Sequence, residues 1–578
     1  MRGKFKARVR LIACLAIIAF LILVGRLFTL QVLKGSEFRE RAEGQYVYAS
    51  SNFDRGKILL TDKHGEHISA ATLESGFIVA LVPKEIKDAA SAYSFLSQHF
   101  SLDEAAFMAK ASKRDDPYEE IADHVPDAVG NTIREANMPG VRVLRQKWRV
   151  YPGNETAAHT VGFMGFAEDG VTREGRYGLE RYYDSVLTKP HTGLYVNFFA
   201  ELFANVRTGL FSSGDQPGAD VVTSIEPDVQ AFAEHLLDGY SSEWHPDESG
   251  IIVLEPSTGR VIALAARPTY DPNNLAFADP DAFSNPIVEK VYEFGSIVKP
   301  LTMAAALDSG VVTPKTTYND RGYAVYDGAR ISNFDGKGRG TVSMQEVLNQ
   351  SLNTGVAFAV EKMGTDLFRE YLEKFALREE TGIDLPGEAA PLTDNLDSPR
   401  TIEYVTASFG QGIAVTPIAM ARALGTLANH GLVPGPHVAT SLSYPGGFDK
   451  KLGWSPERRA ISEEASETLS RMLVEVVDTS LQGGAVKIPE LSVAAKTGTA
   501  QIAREGARGY ETDRYLHSFF GYFPAYEPRF LVFLYAVAPK GARYASETWT
   551  APFMESVRFL VNYYEIPPDR ISASPGAH

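Results

Sequence analysis

Gly295-Ser296-Ile297-Val298-Lys299 is the stretch on which the reading of this chain turns. A serine three residues before a lysine places both side chains on one face of a helix. A neutral amine at that distance can take the serine proton and turn a weak nucleophile into a usable one. Mostly apolar residues run on to Asp308 and Gly310 stops the helix, so Ser296 stands near its N-terminus. Free backbone N–H groups there favour developing negative charge. By itself the pattern is common, and an ordinary exposed helix start reads the same way.

Two more short stretches follow in order. Ser351-Leu352-Asn353 falls in a polar break between two helical stretches. From a turn its hydroxyl and amide can face one cleft, although helix capping is the plainer use of both residue types. Lys496-Thr497-Gly498-Thr499, after Val493-Ala494-Ala495, reads as a strand. Alternation puts Thr497 and Thr499 on one face. Gly498 lets a substrate backbone approach closely. Such an edge strand can pair with an extended peptide while its hydroxyls and Lys496 hold a carboxylate. A plain strand end is the alternative.

The surrounding pattern predicts an α+β domain over 216–570. Residues 250–255 and 260–266 are strand-like on either side of Pro256-Ser257-Thr258-Gly259, a hairpin. Residues 518–523 and 530–538 form a second hairpin around Pro524 and Glu527-Pro528. The stretch 552–565 has helical spacing and stops at Pro567-Pro568. The centre is helical. One antiparallel sheet, closed by the two ends of the domain and flanked by helices, satisfies this order. Residues 37–215 mix short strand-like pieces with polar helical ones. There Ile78-Val79-Ala80-Leu81-Val82 reads as a strand and 84–110 as amphipathic helix. Ser212 to Gly218 reads as a linker, and the small polar residues 571–578 as a disordered tail.

Residues 1–36 are expected to be a single transmembrane anchor. Arg2, Lys4, Lys6, Arg8 and Arg10 precede an apolar run from Leu11 to Val24, and a mostly apolar stretch continues to Leu33. A crossing helix needs about 20 apolar residues, which this segment reaches if Arg26 snorkels to the headgroups. The basic tip stays cytoplasmic, so the rest of the chain is exported. A cleaved signal peptide is the rival, but Gly25-Arg26-Leu27-Phe28 is a poor cleavage site. Leu11-Ile12-Ala13-Cys14 looks like a lipoprotein box, yet it precedes the apolar core. The 578 residues are 44% hydrophobic and 22% charged, an ordinary globular composition. A net charge of −15 argues against wholesale nucleic-acid binding. One cysteine excludes an intrachain disulfide. No clustered His/Cys/Asp set points to a metal, and no cofactor is expected.

Taken together the three stretches are far more specific than any one, and they form the set found in penicillin-binding proteins and class A β-lactamases. Over nearly its whole length the chain resembles class B penicillin-binding proteins, the monofunctional peptidoglycan transpeptidases. Tyr292-Glu293-Phe294-Gly295-Ser296 looks like the family's approach to its nucleophile. Ile383-Asp384-Leu385-Pro386-Gly387-Glu388, Gly410-Gln411-Gly412 with Thr416-Pro417, and Lys496 through Gln501 look like further landmarks. Arg55-Gly56-Lys57-Ile58, Arg149-Val150-Tyr151-Pro152, Ala158-His159 and Gly178-Leu179-Glu180 resemble the family's elongated, non-catalytic pedestal, a dimerisation-type domain that the resemblance places at 37–215. His159 there reads as a structural residue. Phe294 stands where proline is usual, Leu352 where serine is frequent and Ala495 where glycine is often found, but no catalytic group is lost.

The resemblance implies a two-step acyl transfer on D-Ala-D-Ala stem peptides. Ser296 would be the nucleophile and Lys299 its base. Ser351 would relay a proton to the leaving amine, tuned by Lys496. Asn353, Thr497, Gly498 and Thr499 would bind substrate, and the backbone N–H groups of Ser296 and Thr499 would form the oxyanion hole. β-Lactams would acylate Ser296. Asn353-Thr354-Gly355 favours the division-specific branch over the elongation branch. The implied place is the inner membrane, with the catalytic domain periplasmic. Implied partners are a membrane glycan polymerase of the SEDS type and other cell-wall synthesis proteins. A D,D-carboxypeptidase or a mainly regulatory scaffold stays open. A β-lactamase or β-lactam sensor would lack the pedestal, and a bifunctional enzyme would need a glycosyltransferase domain for which there is no room.

Overall fold

The computed structural model describes residues 54–170, 172–188, 218–454, 458–504, 506 and 509–570. The expected anchor at 1–36, the tail at 571–578 and all of the expected linker except Gly218 lie outside the described residues. Among the described residues no helix is long and apolar enough to cross a membrane. Two compact units emerge. One holds Asp54 and Leu73–Val150; the other holds Arg55–Thr72 and everything from Tyr151 on.

The smaller unit wraps three helices around a strand core. The strand His67–Leu81 enters it at Leu73 and pairs antiparallel with Glu119–Val125, and it also pairs with Val141–Val150. Phe77, Val79 and Leu81 alternate inward and meet Leu96, Phe107 and Ile133. The helical stretch expected at 84–110 is instead two helices, Ala89–Leu96 and Glu104–Ser112. The reason is capping. Asp88 accepts the Ser91 N–H at 3.0 Å and Asp103 accepts the Ala106 N–H at 2.7 Å. An aspartate that satisfies free N–H groups starts a new helix and does not continue an old one.

In the larger unit α1 (Pro227–Trp244) leads into the hairpin β1 (Glu248–Leu254) and β2 (Val261–Arg267). The central helices follow: α2 (Lys299–Asp308), α3 (Met344–Asn349), α4 (Asn353–Met363), α5 (Pro417–Leu427) and α6 (Glu463–Glu475). The chain closes with β3 (Ala494–Ala503), β4 (Tyr510–Phe523), β5 (Phe530–Val537) and α7 (Thr550–Tyr563). The sheet order is β3-β4-β5-β1-β2, antiparallel throughout. The two ends of the domain therefore meet at the β5–β1 pair, and β3 is an edge strand.

Burial explains why these strands read as continuous apolar runs and not as alternating ones. Phe530, Val532, Leu534 and Ala536 of β5 face the side covered by α1 and α7, with Trp549 and Phe553. Leu531, Phe533 and Tyr535 face the central helices. Each such side chain taken from water is worth about 1.5–3 kcal/mol before entropy is counted. α2 runs through the middle, with Lys299 to Ala306 all buried. Three successive alanines, Ala304 to Ala306, let neighbouring helices come close.

The N-terminal part of this unit is tied in by strands and by the ion pairs of one arginine. Ile58–Thr61 lies between His67–Ala71 and Asp220–Thr223. The buried Arg55 donates to Glu180 at 2.7 Å and to Asp184 at 2.8 Å, so two segments far apart in sequence are locked together. Gly56 is obligatory there, because a Cβ would lie 2.0 Å from the Ala219 carbonyl oxygen. His159 is buried, with Nε2 2.9 Å from the Ala282 carbonyl and its ring edge-on to Tyr270. Burial pushes its imidazole down to about 4.

Candidate active site

The serine turn comes first. Gly295–Val298 is a 3-10 turn that leads into α2, with Pro300 in the first turn of the helix. Gly295 has φ of 66° and donates its N–H to the Gly410 carbonyl at 3.1 Å. A Cβ on Gly410 would lie 2.3 Å from the Gly295 oxygen, which explains a glycine in Gly410-Gln411-Gly412. Glu293 accepts the Gly412 N–H at 3.0 Å and the Tyr510 hydroxyl at 3.0 Å. The turn that carries Ser296 is thus braced on both sides.

β3 packs directly on this turn, and Gly498 is the reason it can. A Cβ at Gly498 would lie 2.3 Å from Ser518 Oγ and 2.6 Å from the Phe294 carbonyl oxygen. The missing side chain therefore faces the interior, where Ser518 Oγ donates to that carbonyl at 2.8 Å. A glycine at 498 therefore makes room for the serine turn. Thr497, Thr499 and Gln501 alternate to the other side and line the cleft.

Ser351 sits in the break between α3 and α4, with φ of 53°. Its backbone turns the hydroxyl and the carbonyl toward two lysines. Lys299 Nζ donates to the Ser351 carbonyl at 2.5 Å and lies 3.1 Å from Ser351 Oγ. Lys496 Nζ lies 3.1 Å from the same Oγ and donates to the Thr497 carbonyl at 2.9 Å. Burial, and then the charge on Lys496, hold the Lys299 amine well below the ordinary lysine range. Burial brings Lys496 down to about 7. Two ammonium groups around one hydroxyl repel, which adds to the effect of burial on Lys299. The Ser296 hydroxyl makes no hydrogen bond among the described residues. It opens onto the cleft in front of the two lysines.

Ser296, Ser351, Asn353, Lys496, Thr497 and Thr499 line one cleft of about 630 Å³. Lys299 lies buried behind it and reaches it through Ser351. Asn353 opens α4 and donates Nδ2 to the Ser332 carbonyl at 2.9 Å. Thr499 Oγ1 accepts the Ala545 N–H at 3.0 Å and keeps its own proton to donate. Among the described residues no group of His, Cys, Asp and Glu is arranged to hold a metal.

Several participants carry no sequence signal. Asp320 is buried and accepts from Gly322 N at 2.9 Å, Arg339 N at 3.1 Å, Asn333 Nδ2 at 3.0 Å and Thr354 Oγ1 at 2.8 Å. It fixes the hairpin that holds Asn353. Phe334, Arg339, Arg543 and Tyr544 reach the cleft from two loops far apart in the chain. No periodicity or spacing marks them, because only tertiary folding brings them together.

Comparison with known proteins agrees with this geometry. A family model described as the penicillin binding protein transpeptidase domain matches residues 249–557, and a penicillin-binding protein dimerisation domain matches residues 51–197. Stage V sporulation protein D of Bacillus subtilis (strain 168) is 28% identical over 565 residues, covering 96% of this chain and 85% of that protein. Peptidoglycan D,D-transpeptidase FtsI of Escherichia coli (strain K12) is 26% identical over 556 residues, covering 94% and 89%. The fold is shared with the crystal structure of penicillin binding protein 2X from Streptococcus thermophilus, with a TM-score of 0.72 at 19% identity over 89% of this chain and 81% of that one. The transpeptidase match alone spans more than half of the 578 residues, and the chain belongs to the penicillin-binding protein transpeptidase family.

Proposed function

We propose that the chain is a class B peptidoglycan D,D-transpeptidase that crosslinks stem peptides through an acyl-enzyme on Ser296. One observation carries the reading. Two buried lysines converge on the Ser351 hydroxyl, each at 3.1 Å, beside the cleft that holds Ser296. Neutral Lys299 takes the Ser296 proton as Oγ attacks the carbonyl of the penultimate D-alanine. The N–H groups of Ser296 and Thr499 receive the oxyanion, a contribution of about 10²–10³ in rate per donor. Ser351 passes a proton to the departing D-alanine amine, and Lys496 steadies that hydroxyl. Thr497 and Thr499 hold the terminal carboxylate, Asn353 holds a substrate amide, and the Gly498 backbone keeps the edge strand against the serine turn. An amine of a neighbouring strand then takes the acyl group. A β-lactam acylates the same oxygen.

Residues 1–36 anchor the chain in the inner membrane, 37–215 form the pedestal and 216–570 the catalytic domain, which faces the periplasm. The basic tip ahead of the apolar run supports that orientation. Asn353-Thr354-Gly355 supports a septal role. A membrane glycan polymerase of the SEDS type is the partner this arrangement suits. The full-length chain in detergent, given a D-Ala-D-Ala donor and an amine acceptor, should release D-alanine and form the new amide. Formation of the free acid alone would make the protein a carboxypeptidase. A folded sample that releases no D-alanine would overturn the reading.

A further inference from the structure

Two aromatic rings meet across the mouth of the cleft. Phe334 and Tyr544 pack edge to face, with centroids 5.9 Å apart. An arginine stands over each ring, Arg339 at 5.9 Å from Phe334 and Arg543 at 5.4 Å from Tyr544. The arginines differ in one respect. Arg339 is already satisfied by both oxygens of Asp335, at 2.8 and 2.9 Å, and by Gln350 at 3.0 Å. The Arg543 guanidinium has neither a hydrogen bond nor an ion pair among the described residues.

Its backbone, by contrast, is fixed. The Arg543 N–H donates to Glu547 at 3.0 Å, and the Arg543 carbonyl lies 3.2 Å from Nε2 of the buried His517. Two residues on, the Ala545 N–H is held by Thr499 Oγ1. The free guanidinium is therefore displayed from a rigid loop, next to the hydroxyl that binds the substrate's terminal carboxylate in the mechanism above. Among the described residues no aspartate or glutamate lines the cleft, in a chain whose net charge is −15. A planar guanidinium without a partner matches a carboxylate by two parallel hydrogen bonds. In that mechanism the terminal carboxylate already has Thr497 and Thr499.

We propose that Arg543, with Tyr544 and Phe334 as apolar walls, forms a subsite for a second carboxylate of the donor peptide, borne by a side chain upstream of the reacting C-terminus. This rests on the D,D-transpeptidase reading. The substrate class is then a donor with two carboxylates at its reacting end, and amidation of the side-chain carboxylate weakens it.

The test uses the full-length chain in detergent and two peptides ending in D-Ala-D-Ala. They differ only in a side-chain carboxylate or carboxamide on the preceding residue. D-Alanine release gives kcat/KM for each, and fluorescent penicillin counts the active protein. The wild type should prefer the carboxylate peptide by about tenfold, the scale of one hydrogen bond to a charged group. Arg543→Gln should bring that ratio near one by raising KM for the carboxylate peptide, and Arg543→Lys should restore part of it. Equal use of both peptides by the wild type, or an unchanged ratio in Arg543→Gln, overturns the subsite alone. A wild type that takes penicillin but neither peptide overturns the transpeptidase reading and the subsite with it.

Discussion

Ser351 holds a backbone conformation that costs a non-glycine residue about 1–3 kcal/mol, and it does so where two lysines need its carbonyl and hydroxyl together. The proposed mechanism needs Lys299 neutral when Ser296 attacks. Acylation by penicillin should therefore rise with pH along a limb well below the ordinary lysine range. Removing the neighbouring charge with Lys496→Gln should move that limb to higher pH, as Lys299 loses one of the two influences that hold it down. Stopped-flow acylation between pH 5.5 and 9.5 checks both. The same burial costs stability. The folded Lys299 binds its proton less tightly than the unfolded one, so this group's contribution to stability improves as pH rises toward 10.5. Lys299→Met should raise the melting temperature at pH 7, flatten its rise between pH 7 and 9, and abolish acylation. Calorimetry across that range shows whether the sign is right. The lysines themselves were legible from the spacing Ser296–Lys299 and from Lys496-Thr497-Gly498-Thr499. Their meeting point on Ser351 was not, since it depends on a turn conformation that no residue pattern encodes.

At the scale of elements, the edge strand and the serine turn are held together by the absence of one side chain. Gly498→Ala would drive a methyl group into Ser518 and the Phe294 carbonyl. It should cost about 1–3 kcal/mol and slow acylation, because Ser296 moves with its turn. Gly239, exposed in α1 with open space around its Cα, is the contrast. Gly239→Ala should stabilise by about 0.5–1 kcal/mol, and chemical denaturation of the two variants should give opposite signs. Asp320 is the corresponding device for Asn353. Asp320→Ala takes the acceptor from the buried Gly322 N–H and one partner each from Asn333 and Thr354, at a cost of about 1–3 kcal/mol. Hydrogen exchange should quicken across 317–343, and penicillin acylation should slow. Strands were easy to read where both faces are buried, as from Leu531 to Ala536, because an unbroken apolar run has few other uses. The helical stretch at 84–110 misled because its apolar spacing survives the break, whereas the capping roles of Asp88 and Asp103 depend on geometry.

For the whole molecule, the order of the sheet is the governing fact. Among the described residues the strands from Glu248 to Arg267 and from Ala494 to Val537 join in one sheet through the β5–β1 pair, so this sheet forms when the two ends of the domain meet. The helices between them then deliver Ser296, Ser351 and Asn353 to the edge strand that carries Lys496, Thr497 and Thr499. That convergence was readable in outline, since hairpin patterns at both ends of a helical stretch admit few other closures. The cleft's loop residues were not, because Phe334 and Tyr544 lie 210 residues apart and meet only in the folded chain. The central claim is that this convergence makes Ser296 a nucleophile. Intact-mass and peptide mass spectrometry of the full-length chain after exposure to penicillin tests it most directly, with Ser296→Ala alongside. One stable acyl group on Ser296, absent from a folded Ser296→Ala variant, is the predicted result. Acylation of Ser296→Ala to the same extent, or no adduct on a folded wild type, would contradict it.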